Sequence, residues 1–126
     1  MVSVDTNILV RLITKDSATQ VVAAEAFIKR HAWISHLVLA ETIWVLATAY
    51  DRTRSELANI IQVLLSHEHL TLQEPEVVRS SLSLFLERPS VGFSDCLILE
   101  IARKAGHLPL GTFDRSMARL DGAQKL

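Results

Sequence analysis

The sequence predicts an α/β protein in which a short parallel sheet is flanked by helices. Two patterns carry that expectation. Brief β-branched runs alternate with longer apolar periodicities of helical spacing, and most helical runs are preceded by a residue suited to capping. Length sets the scale: 126 residues, 49% of them hydrophobic, suffice for one core and one domain over 1–126, and are too few for two.

Val2-Ser3-Val4 reads as a buried strand that turns at Asp5 into a helix carrying Ile8, Leu9, Val10, Leu12 and Ile13. Asp16-Ser17 offers the N-cap of a second helix to about Arg30, with Val21, Val22, Ala24, Phe27 and Ile28 as its apolar face. Ala32-Trp33-Ile34-Ser35 is a second strand. Ser35 or His36 then opens a third helix to about Tyr50, almost without polar relief, and Trp33 and Trp44 are expected in the core. Asp51-Arg52 makes a turn. Thr53 and Glu56 form a capping box for a fourth helix with Leu57, Ile60, Ile61 and Leu64 on one face, antiparallel to the third.

Leu70-Thr71-Leu72 is a third strand. Glu74-Pro75-Glu76 starts a fifth helix that buries Val77, Val78, Leu82, Leu84 and Phe85 and stops at Arg88-Pro89. Gly92 to Asp95 opens a sixth helix, which Gly106 ends. Leu108 to Phe113 is a weak fourth strand, Asp114 caps a last helix to about Leu120, and Asp121 to Leu126 adds a minor edge strand.

Charge and cysteine content narrow the function. The formal net charge of −1 supplies no general field for nucleic acid, so any polyanion must be met by a local patch or by metal ions. The single Cys96 cannot form an internal disulfide, and no signal peptide is recognisable, which points to a reducing, cytoplasmic setting. The run from Ala32 to Tyr50 is long enough to span a bilayer, but it contains Ser35, His36 and Thr42, and Glu41 would be costly at mid-bilayer. A soluble strand and buried helix explain it better.

Four acids stand out. Asp5, Asp95 and Asp114 occur at helix starts, where capping accounts for each taken singly. Glu41 is harder to explain that way, because Leu37, Val38, Trp44 and Val45 are its helical neighbours. A carboxylate in an apolar stripe needs a cation, a donor or a proton, and an ion pair with Arg11 is the plainest alternative to a metal. Asp95 likewise opens a face continued by Ile98, Leu99 and Ala102. Strand ends at one sheet edge could gather three of the acids, with Glu41 beside them. Their repulsion would then favour a hard divalent cation, Mg²⁺ or Mn²⁺, over zinc.

Other features are weaker. His67-Glu68-His69 does not share one helix face and reads as a solvated helix end; Cys96 lacks a base partner and reads as a buried small residue. No nucleophile elbow or Gly-rich phosphate loop is present.

Val4-Asp5-Thr6-Asn7, Leu39-Ala40-Glu41, Phe93-Ser94-Asp95-Cys96-Leu97-Ile98 and Gly111-Thr112-Phe113-Asp114-Arg115 together resemble the motifs of PIN-domain nucleases, specifically VapC-type toxins of bacterial type II toxin–antitoxin pairs. The four occur in the family's order and cover essentially the whole chain. The resemblance implies a three-layer PIN-like fold and a Mg²⁺-dependent endoribonuclease with Asp5, Glu41, Asp95 and Asp114 as its acidic quartet. Asn7 and Thr112 match supporting polar positions. It also implies a homodimer and a VapB-type antitoxin whose tail covers the active-site groove, with DNA engaged only through that antitoxin and no membrane association. Cys96 stands where the family commonly has alanine, which bears on fine geometry and removes no ligand.

On this reading Asp5 and Asp95 are the most direct metal ligands, and Glu41 and Asp114 complete the shell. Arg11, Arg115 and Arg119 are candidates for holding RNA phosphates, against ordinary surface charge. Two competing expectations remain: a PIN nuclease of RNA processing without an antitoxin, and a partner-binding protein whose acids are structural. The helices from about Ser35 to Tyr50 and Thr53 to Ser66 offer more apolar surface than one small sheet needs, which also favours a dimer.

Overall fold

No strand exceeds three residues, so helices carry most of the chain in the computed structural model, which describes residues 1–126. The chain divides into two compact units, Met1–Pro75 and Glu76–Leu126. The α/β class and short parallel sheet are as the sequence predicts.

The first unit holds β1 (Val2–Ser3), α1 (Thr6–Thr14), α2 (Ala18–Ile28), β2 (Ala32–Ile34), α3 (His36–Thr48), α4 (Arg54–Ser66) and β3 (Leu70–Leu72). Its sheet has the order β1-β2-β3, all parallel, with Val2 opposite Ala32 and Trp33 opposite Thr71. Two helices separate each strand from the next, which supplies the long crossover that parallel pairing requires. Capping is as the sequence suggests: Asp5, Ser17, Ser35 and Thr53 each accept a backbone N–H, and Thr53 and Glu56 complete the capping box. Leu9, Ile34, Leu39, Leu46 and Ile61 are fully buried and form the centre of this core.

The second unit continues α5 (Pro75–Glu87) into α6 (Phe93–Ala105), β4 (Leu110–Thr112), α7 (Arg115–Ala118) and β5 (Ala123–Lys125). Phe85 meets Phe93 edge to face, with ring centroids 5.8 Å apart. Gly106 ends α6 with φ of 82°, a left-handed conformation suited to glycine.

Several expectations are corrected. In α2, Val21, Ala24 and Ile28 are buried, whereas Val22 is exposed. In α3, the buried stripe is Leu39, Thr42, Ile43 and Leu46, which turns Leu37, Glu41 and Trp44 outward. Thr42 tolerates burial because its hydroxyl donates to the Val38 carbonyl at 2.7 Å. Trp44 is therefore 63% exposed, and Trp33 points away from the buried side of β2, so neither is a core tryptophan. In α5, Ser81 is buried, donating to the Val77 carbonyl, while Leu84 is half-buried. Finally, β4 pairs with β5 in a two-stranded parallel ladder rather than extending the β1-β2-β3 sheet.

One polar network fastens the first unit. Arg11 on α1 donates to both Asp16 oxygens at 3.0 and 3.1 Å and to the Gln20 carbonyl at 2.6 Å. The Tyr50 hydroxyl, beyond α3, accepts from Arg11 at 3.3 Å and donates to Asp16 at 2.7 Å. The Tyr50 hydroxyl, the Thr14 hydroxyl and the Arg11 charge hold the Asp16 carboxyl below its ordinary value. A depressed carboxyl contributes stability that is present above its unfolded value and lost as pH falls through its folded value. Asp16→Asn is therefore expected to lower Tm at neutral pH, with the gap to wild type closing as pH drops below the ordinary Asp value of 3.8. A gap that stays constant across an acid titration followed by circular dichroism would contradict this role.

Candidate functional site

In the first unit, the end of β1 delivers Asp5 to the start of α1. Val4 is buried, Asp5 is exposed with an extended backbone, and its Oδ1 accepts the Ile8 N–H at 3.0 Å. Thr6, the next residue, donates its hydroxyl to Glu41 Oε1 at 3.0 Å. That bond ties the start of α1 to the outer face of α3. Glu41 is thus a solvent-facing carboxylate held by a hydroxyl, and the ion pair with Arg11 is not formed, because Arg11 turns to Asp16. Asn7 is exposed, and with Asp5 it borders a cavity of about 450 Å³ between α1 and α2.

In the second unit, Asp114 caps α7, its Oδ1 accepting the Met117 N–H at 2.8 Å. Its own N–H donates to Thr112 Oγ1 at 3.0 Å, so Thr112 shapes the turn that presents the acid. Asp95 is not a cap, contrary to expectation: Gly92 takes that position without a side-chain bond, and Asp95 lies in the first helical turn. It is half-buried, and burial followed by the negative charge of Asp114 pushes its carboxyl above the ordinary value.

The structure thus links Asp5, Thr6 and Glu41 in one unit and Asp95, Thr112 and Asp114 in the other. No group of three or more His, Cys, Asp or Glu side chains is arranged to hold a metal ion. Asp5, Glu41 and Asp114 accept these bonds through Oδ1, Oε1 and Oδ1 respectively. All of these donors are oxygen, a set that suits a hard divalent cation, and the mutual repulsion of Asp95 and Asp114 is of the kind such a cation relieves.

The remaining candidates are placed differently. Arg115 and Arg119 are exposed at α7, whereas Arg11 is held in the Asp16 network. His67 ends α4 and accepts the His69 N–H, and His69 pairs with the exposed Glu68, a solvated helix end as expected. Cys96 is buried. Thr6 went unassigned in the sequence, although its position beside Asp5 was visible. Its partner lies 35 residues away, and no local pattern connects the two.

The PIN-domain family model matches residues 2–123. The chain belongs to the PIN-domain family. Members of this family are generally metal-dependent nucleases and typically bind divalent metals, and the mixed α/β architecture with a short parallel sheet is consistent with a PIN-like fold. No curated protein and no solved structure matches the chain. No helix of this PIN domain is long and apolar enough to cross a membrane.

The raised Asp95 carboxyl gives a test of sign. A carboxyl above its ordinary value costs stability once ionised, so stability falls as pH rises from the unfolded toward the folded value. Asp95→Asn keeps the shape and removes the charge. In chelator at neutral pH it is expected to raise Tm, and a lowered Tm by scanning calorimetry would show that the charge is favourably placed.

Proposed function

We propose that this PIN domain is a metal-dependent endoribonuclease and the VapC-type toxin of a type II toxin–antitoxin pair, acting on RNA phosphodiester bonds in the cytoplasm as a single domain over 1–126. Family membership across residues 2–123 carries this reading, because the four acids of the motifs are present in a chain of the family. Asp5, Glu41, Asp95 and Asp114 would hold Mg²⁺ or Mn²⁺. A bound divalent cation supplies a water of lowered pKa and neutralises developing phosphate charge.

The protein's own contribution is positioning. The Ile8 N–H holds Asp5, the Thr6 hydroxyl holds Glu41, and the Met117 N–H with Thr112 holds Asp114. Asn7 supports the Asp5 side. Arg115 and Arg119 are exposed cations suited to RNA phosphates, a local charge that a chain of net −1 requires. The toxin reading pairs the chain with a VapB-type antitoxin whose tail covers the active-site groove. DNA would be met only through that antitoxin.

Asp5→Asn can still cap α1, so the fold is expected to survive while Mg²⁺-dependent cleavage of total RNA falls by at least about 100-fold, beyond the 10–100-fold typical of outer-shell changes. Chelator-sensitive cleavage at wild-type rate by folded Asp5→Asn would remove the metal-site assignment. We also propose a homodimer that covers the Trp44 end of α3, where Trp44 is 63% exposed, and leaves Glu41 open. Light scattering is expected to give a dimeric mass for wild type and a monomeric one for Trp44→Glu. A monomeric wild type at high concentration would refute this.

A further inference from the structure

Phe113 is the most exposed large apolar side chain of the fold, at 77%. Apolar side chains exposed singly are ordinary, and Met1, Val22 and Leu126 need no explanation. Phe113 differs in its position and in its support. It lies between Thr112 and Asp114, so one peptide unit, about 3.8 Å, separates its Cα from that of a proposed metal ligand. Its backbone is held on both sides. The Asp114 N–H donates to Thr112 Oγ1 at 3.0 Å, the Leu126 N–H donates to the Thr112 carbonyl at 3.0 Å, and the Met117 N–H fixes the Asp114 carboxylate. The ring is left with only its two side-chain torsions to settle. On α6, Ile98 is 49% exposed three residues after Asp95, whose carboxyl feels the Asp114 charge. Apolar surface thus stands open next to each acid of this unit, in a segment that also exposes Arg115 and Arg119.

An interface between copies of the chain is a poor account of this surface. Charged residues are depleted from interface cores, and covering these acids and arginines would cost their desolvation. A nucleotide fits better, because its base offers a flat face to a ring while its phosphate, part of the same unit, belongs with cations. We infer that Phe113 is the platform on which one base of the RNA stacks, at a nucleotide beside the cleaved bond. The inference rests on the ribonuclease reading of the acids, since only that reading brings RNA to Asp114. Phe113 is a binding residue and takes no part in the chemical step. Every base has a π-face, so the ring supplies affinity and position without choosing among bases.

The test is equilibrium binding of two fluorescently labelled hexamers, in chelator and at one fixed salt concentration, so that neither cleavage nor screening intervenes. One is the uridine hexamer, and the other carries the same number of phosphates on base-free tetrahydrofuran units. Wild type is expected to bind the uridine hexamer more tightly. Phe113→Ala is expected to keep the fold, because the ring is exposed. It should weaken the uridine hexamer about ten-fold and leave the base-free hexamer unchanged. Phe113→Trp restores a ring and is expected to bind the uridine hexamer at least as tightly as wild type. Leu86, 63% exposed on α5, is the control, and Leu86→Ala is expected to change neither affinity. Wild type that does not favour the uridine hexamer, or a Phe113→Ala effect that is absent or equal on both hexamers, would overturn the inference. So would a change of oligomeric mass in Phe113→Ala by light scattering, which would assign the ring to an interface between copies. The nuclease reading is judged separately by Mg²⁺-dependent cleavage. Base-dependent binding that Phe113→Ala loses, without cleavage, keeps the stacking residue and removes the nuclease. Cleavage without base-dependent binding does the reverse.

Discussion

Unpaired N–H groups at a helix start set the terms on which this chain presents its acids. The first turn of a helix has donors without intrahelical partners, and a carboxylate has two oxygens. Asp5 and Asp114 each give Oδ1 to the N–H three residues on, at 3.0 and 2.8 Å. A cap of this kind is worth about 1 kcal/mol and also immobilises the side chain that makes it. Structural and chemical roles are therefore not alternatives at these positions. The bond that supports the helix aims the carboxylate.

Asp95 shows what happens without that bond. Gly92 caps α6 by backbone conformation alone, so Asp95 sits in the first turn with its charge desolvated and with Asp114 as a like-charged neighbour. A capped acid is held by donors, whereas this one is left dependent on whatever positive charge arrives. Glu41 is a third case. Far from any helix start, it obtains a donor from another element, the Thr6 hydroxyl. The three modes of support differ in rigidity, and they follow from where each acid falls along its helix.

Much of the fold was legible because caps and periodicities are local. The Thr53–Glu56 box, the Ser17 and Ser35 caps and the Gly106 stop all lie within a few residues of what they control. The facing of α2 and α3 was not legible. Both helices are apolar nearly all round, so periodicity cannot choose an inner face, and Val22 and Trp44 fall outside. That error reached the site: Glu41 drew attention as a buried charge, yet it is exposed. The pairing of β4 with β5 was equally hidden, since three-residue strands carry too little alternation to specify a partner. Nor could local pattern reveal the meeting of Arg11 with Tyr50, 39 residues apart.

That meeting changes what Arg11 can do. An arginine near Asp5 in sequence invites assignment to RNA phosphates, but its Nη1 already donates to both Asp16 oxygens and its Nε to Gln20, so a phosphate that takes those donors must displace them. The exchange would replace one anionic partner by another and leave Asp16 with only the Tyr50 and Thr14 hydroxyls. Such an exchange gains little, and it would release the Gln20 carbonyl that Arg11 also holds. Arg115 and Arg119 carry no such commitment and stand exposed. The division of labour among the cations therefore follows from their existing partners. The paired arginine ties α1 to Gln20 of α2 and to Tyr50, and the solvated ones keep their donors open to water.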